Sequence, residues 1–180
     1  MSHLRFQTSI NVKYTKKKIT CMDTDSIRHG IEYSFHDFSL LNQALTTKSY
    51  AKERNEKGIP CESQQSLRTL GDAILKEIII ELLIEQGYST PKDITEIKKN
   101  LESQKRLAIL FENLDINSDY VKKGTGEIES NRLFAETMEA IIAAMYFDIK
   151  NHNQKISAKD ELKKYIANWF KSDFELLKKK

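Results

Sequence analysis

Two cysteines in 180 residues, Cys21 and Cys61, have no paired spacing that suits a zinc site and are too few for a disulfide framework. Backbone punctuation is equally scarce. Six glycines and two prolines leave little room for long unstructured linkers, so helices should dominate. Long apolar runs are also missing: Glu77 and Glu81 interrupt the richest stretch, far short of the ~20 residues a membrane helix needs, and the N-terminus lacks a signal-peptide core. The expectation is a protein inside the cell with no membrane partner, cytoplasm and nucleus being indistinguishable at this level. Charge of either sign is not in strong excess. Lysine and arginine total 29 against 26 acids, and the formal net charge of +3 does not by itself identify a nucleic-acid partner. Lys16-Lys17-Lys18 and Lys178-Lys179-Lys180 concentrate positive charge near both ends, where solvated tails and sequence-independent phosphate contacts both fit.

The length suits one domain with one hydrophobic core. Residues 1–30 alternate weakly through Leu4, Phe6, Ile10, Val12 and Tyr14, which reads as a possible strand or arm. Residues 31–150 form the main domain. Asp37 begins a helical pattern in which Phe38, Leu40, Leu41 and Ala44 pack inward, Leu45 to Tyr50 closes the segment, and a polar loop runs through Gly58 and Pro60. Between Leu67 and Ile84, Leu67, Leu70, Ile74, Ile78 and Leu82 recur at helical spacing, predicting a buried central helix that Gly87 can end in a left-handed conformation. Thr90-Pro91 marks the next helix start, with Thr95 an alternative cap, and Ile97 to Phe111 continues an amphipathic helical region. Lys123-Gly124-Thr125-Gly126-Glu127 is a loop open to two readings, a phosphate cradle or a turn requiring positive φ. Residues 151–180 read as one closing amphipathic helix through Leu162, Ile166, Trp169, Phe170 and Phe174.

Charge placement within the apolar segments carries the chemistry. Asp72 interrupts the central helix, while Glu136 and Glu139 accompany the apolar face of Phe134, Met138, Ile141, Ile142 and Met145. Glu136 and Glu139 are three apart and share one face of their helix; Arg68 and Asp72 are four apart and share one face of theirs. Three carboxylates thus enter the core region from two helices. Unpaired charge there costs several kcal/mol, so either a hard divalent cation or an internal salt-bridge network must compensate. For oxygen ligands alone the natural cation is Mg²⁺, with Mn²⁺ also suitable.

Several segments in fixed order resemble the ribonuclease III domain, the double-stranded-RNA endonuclease module of bacterial ribonuclease III and Dicer-type enzymes. They are Ser39 to Thr46, Ser49-Tyr50-Ala51, Leu70-Gly71-Asp72-Ala73, Lys123 to Glu127, and Phe134 to Ala140 running on to Asp148. The resemblance spans about Ile31 to Ile149 and implies an all-α fold. It also implies that acids from two helices hold the metal, placing Asp72, Glu136 and Glu139 as ligands with Asp72 and Glu139 catalytic. The family pattern has a fourth acid where this chain has Arg68, an aromatic residue where it has Thr69, and a frequent histidine where it has Thr47. Metal-dependent hydrolysis of double-stranded RNA follows as the implied activity, leaving 5′ phosphate and 3′ hydroxyl, with a homodimer supplying two cuts in RNA processing.

Arg68 admits two roles: satisfying the carboxylates in place of metal, or lying beside the metal and contacting a phosphate. The first implies an attenuated or non-catalytic double-stranded-RNA-binding or scaffold protein, the second an atypical nuclease.

Overall fold

The computed structural model describes residues 30–153 and 155–178. The expected N-terminal strand or arm and the Lys16-Lys17-Lys18 triplet lie outside the described residues. Helices dominate. They run α1 Phe38–Ala44, α2 Lys48–Glu56, α3 Gln65–Glu85, α4 Pro91–Leu101, α5 Gln104–Asn113, α6 Asn131–His152, α7 Ala158–Trp169 and α8 Lys171–Leu177, with a short 3-10 turn at Ser118–Tyr120. Extended pairing among the described residues is confined to a parallel bridge between Thr46 and Lys122.

Capping chemistry explains several boundaries. Asp37, Thr90 and Ser130 accept hydrogen bonds from the amides of Ser39, Asp93 and Leu133, giving α1, α4 and α6 satisfied N-termini. Pro91 occupies the first turn of α4, whereas Thr95 bonds back to the Pro91 carbonyl and caps nothing. Gly87 follows α3 at φ 94°, a conformation that side-chain-bearing residues rarely adopt.

Three expectations change. Residues 45–50 do not close a segment, because Thr47 caps the new helix α2. The Ile97–Phe111 region is two helices, since Ser103 leaves the helical conformation and accepts from the Arg106 amide to start α5. The closing region is likewise α7 and α8, the break at Phe170 letting Phe170 and Phe174 both turn into the core.

The hub is α6, rather than α3. Its alanines 135, 140, 143 and 144 are buried on several sides, and their small side chains let α1, α3, α5 and α7 all approach it. Helix α3 instead keeps a wet stripe: Glu77 pairs with Lys159 at 2.9 Å and Glu81 with Lys163 at 3.3 Å, tying it to α7. Exposed pairs of this kind contribute ~0–1 kcal/mol each, so apolar burial dominates the packing. At one point α3 and α6 touch through backbone: a Cβ added to Gly71 would lie 1.7 Å from the Glu139 carbonyl oxygen. Only glycine permits that crossing, and it sets Asp72 beside Glu139.

Candidate active site

The Gly71 crossing gathers the sequence-predicted residues along one edge of the α3–α6 contact. They do not enter the core. The Asp72 side chain is 39% exposed and that of Glu136 24%, because each leaves its helix at the rim of the interface. Arg68 reaches from α3 to α6 and donates from Nη1 to Glu136 Oε1 at 2.9 Å, and Arg132 Nε donates to the same oxygen at 2.8 Å. Lys76 Nζ donates to Asp72 Oδ2 at 2.8 Å. Two of the three carboxylates therefore have cationic partners on the protein.

Among the described residues, Glu139 has none within ion-pair distance. Burial pushes its carboxyl up to about 7, the negative Asp72 adds to the rise, Arg68 opposes it, Glu136 raises it again and Lys76 lowers it. A carboxylate in this setting favours a proton at neutral pH or a cation that brings it nearer Asp72. The donor set of Asp72 and Glu139, oxygen only, fits a hard divalent ion. Glu136 is committed to two arginines, and the three acids do not form a group with all ligand oxygens within 4.8 Å. Both arginines hold Oε1, so Glu136 would join a shared ion through Oε2 after moving closer to Asp72 and Glu139.

Beside the Arg68–Glu136 pair lies a cavity of about 660 Å³, lined by Lys48, Lys52, Arg68 and Arg132 together with Glu127 and Glu136. The caps of α2 and α6, Thr47 and Ser130, line it as well, so the positive ends of two helix dipoles border it. Such a surface suits a phosphate-bearing polyanion.

The glycine loop proves to be a turn. Glu127 Oε2 accepts from Thr47 Oγ1 at 2.7 Å, from the Gly124 amide at 3.0 Å and from Ser49, while Gly126 takes φ 76°. Burial works to raise the Glu127 pKa, but these donors from Ser49, Thr47 and Gly124 bring it below the ordinary value. The Gly124 amide that a phosphate would need is already used. Thr47, at the frequent histidine position, anchors this turn to the cavity wall. Sequence reasoning missed that role of Glu127, and also the role of Asp148, which is fully buried and accepts from Tyr33 Oη and the amides of His36 and Asp37. A charged residue in the otherwise apolar Ala140–Ile149 run was the available signal for Asp148.

Comparison with known proteins agrees with the geometry. Residues 37–166 match the family model described as Ribonuclease-III-like, and the chain belongs to that family. It is 30% identical over 136 residues to ribonuclease 3 of Bordetella pertussis, covering 72% of this chain and 49% of the relative. With ribonuclease 3 of Shewanella loihica it shares 32% identity over 146 residues, covering 78% of this chain and 57% of the relative. The chain thus spans about half the length of the curated relatives it matches. Its fold is that of the nuclease domain of ribonuclease III from Campylobacter jejuni, described with a region involved in dimer formation, at TM-score 0.70 and 22% identity over 84% of this chain and 99% of that one.

Proposed function

We propose that this chain is a divalent-metal-dependent endoribonuclease domain that hydrolyses double-stranded RNA, leaving 5′ phosphate and 3′ hydroxyl ends. The observation that carries this reading is the apposition of Asp72 and a half-buried Glu139 that has no ion-pair partner among the described residues, with Arg68 and Glu136 linking them to a basic cavity. Asp72 and Glu139 would hold Mg²⁺, or Mn²⁺, with Glu136 as a further ligand through the carboxylate oxygen that Arg68 and Arg132 leave open. When bound, the ion supplies a more acidic water as nucleophile and stabilises the leaving 3′ oxygen. Arg68, Arg132, Lys48 and Lys52 orient the duplex through its phosphates and read no base, as expected for A-form RNA. A homodimer would place one site against each strand, and the relative described with a dimer-forming region supports that assembly.

A duplex-cleavage assay tests the proposal. Asp72→Asn and Glu139→Gln should each reduce Mg²⁺-dependent cleavage by at least ~100-fold with helical circular dichroism retained. Wild-type rates in either variant would remove that residue from the site. The Arg68–Glu136 and Lys76–Asp72 pairs favour a second reading, a non-catalytic double-stranded-RNA-binding or scaffold protein in which protein cations replace the metal. Salt-sensitive duplex binding without any divalent-dependent cleavage would establish that reading instead.

A further inference from the structure

On another face of α6, two imidazoles flank the buried Asp148. His36 Nδ1 lies 3.3 Å from Asp148 Oδ2, and His152 Nδ1 lies 3.5 Å from Oδ1. The ligand atoms of all three residues fall within 4.8 Å of one another, a grouping that the acidic site does not achieve. The rings are stacked at 4.5 Å between centroids with 15° between planes, and their Nδ1 atoms lie against the two different oxygens of the one carboxylate. The 3.5 Å between His152 Nδ1 and Oδ1 approximates the ~3.3 Å edge of a tetrahedron built on metal–ligand bonds of about 2.05 Å, and the exposed His36 ring, now against Oδ2, would turn toward Oδ1 to complete a second edge.

Lone-pair accounting leaves room for an ion. A carboxylate offers about four acceptor positions. Oδ2 of Asp148 already accepts from Tyr33 Oη at 2.7 Å and the His36 amide at 2.9 Å, and faces His36 Nδ1 at 3.3 Å, a contact that metal binding would exchange with the ring proton moved to Nε2; Oδ1 accepts the Asp37 amide at 2.8 Å and keeps one position. Those three donors also lock the carboxylate's orientation and keep it ionised: burial acts to raise its pKa, and the His36, Tyr33 and Asp37 hydrogen bonds bring it below the ordinary value. The oxygen-bearing end of the site is therefore preorganised. The imidazole ends are open, with side-chain exposures of 62% for His36 and 41% for His152, so an ion can reach Nδ1 from solvent. His152 Nδ1 also stands 3.0 Å from the Asp148 carbonyl; metal binding would exchange that contact for a bond to the ion, with the ring proton on Nε2.

We infer that His36, Asp148 Oδ1 and His152 form a binding site for a borderline transition ion, Zn²⁺ in particular, separate from the acidic site on the α3–α6 edge. Two nitrogen donors and one oxygen select against Mg²⁺ and leave a fourth position to water. The ion would clip the segment leading into α1 onto the last turn of α6, so it stabilises the folded state.

The test is Zn²⁺ titration of the full chain, followed by calorimetry and thermal unfolding, with Co²⁺ absorption as a report on tetrahedral nitrogen–oxygen coordination. Saturable one-to-one binding at micromolar Zn²⁺ and a Tm rise of several degrees are expected, undiminished by millimolar Mg²⁺. His36→Ala and His152→Ala replace exposed side chains and should fold, yet each should weaken binding at least ~10-fold and remove the Tm rise. Asp72→Asn should retain both. Absence of saturable Zn²⁺ binding would overturn the inference, and so would an unchanged isotherm in the two histidine variants, which would assign the ion to other donors such as Cys21, Cys61, His3 or His29.

Discussion

Asp148 and Glu139 are both carboxylates of α6 withdrawn from water. Asp148 is wholly buried yet sits below the ordinary carboxylate range, because two amides and a phenol donate to it. Glu139 is less buried but rises to about 7, because its burial is met by no such donors among the described residues and it faces another acid. Burial alone does not set the charge state; the donors that accompany it do. A satisfied carboxylate organises structure, whereas an unsatisfied one beside a second acid invites a proton or a cation.

The largest effect should come from stripping the satisfied carboxylate. Asp148→Ala leaves the His36 and Asp37 amides and the Tyr33 hydroxyl without their acceptor and should destabilise the fold by about 3–4 kcal/mol in chemical denaturation. Retention of wild-type stability would show that solvent replaces the carboxylate readily.

Next comes the backbone contact that creates the unsatisfied one. Gly71→Ala inserts a methyl 1.7 Å from the Glu139 carbonyl, so α3 and α6 must separate. A loss of about 2–3 kcal/mol is expected, together with weakened Mg²⁺ binding, since Asp72 moves with α3.

The two carboxylates should also give opposite pH trends. Asp148, depressed in the folded state, contributes stability above its unfolded pKa that disappears as acid protonates it. Glu139, raised from 4.5 to about 7, contributes stability below 4.5 that is lost as pH rises toward 7. Glu139→Gln should therefore stabilise the metal-free protein at pH 8 by about 1–2 kcal/mol, after discounting for partial exposure, and give no gain at pH 4. Equal effects at both pH values would remove the electrostatic account of Glu139.

A smaller change should follow at Arg68. Arg68→Glu removes one of the two guanidiniums on Glu136 and adds a carboxylate, lowering the Mg²⁺ concentration for half-maximal cleavage roughly 10-fold. Arg68→Ala separates the two roles of the guanidinium. If it only competes with metal, alanine also improves the metal response; if it grips phosphate through the basic cavity, alanine weakens duplex affinity. Unchanged metal curves and RNA affinities in both variants would place Arg68 outside the site.

Local signals made much of this legible. Thr90-Pro91 and Gly87 marked helix ends because caps and positive φ act within a few residues. Helical spacing located α3 and α6, and the ordered segments pointed to the family. Partnerships across the chain were not legible. Arg68 meets Glu136, Thr47 meets Glu127 and His36 meets Asp148 through contacts 68, 80 and 112 residues apart, which no local period encodes. The breaks at Ser103 and Phe170 escaped notice for a related reason: apolar spacing continued across them while the backbone turned to fit neighbouring helices.

The most direct test is a carboxyl NMR titration that follows Glu139 and Asp148 in the same sample, without and with Mg²⁺. The account predicts that metal-free Glu139 titrates near 7 and that Mg²⁺ lowers its midpoint, while Asp148 stays below the ordinary range in both conditions. A Glu139 midpoint near 4.5, or one that Mg²⁺ leaves unmoved, would contradict the claim that Asp72 and Glu139 form a cation site.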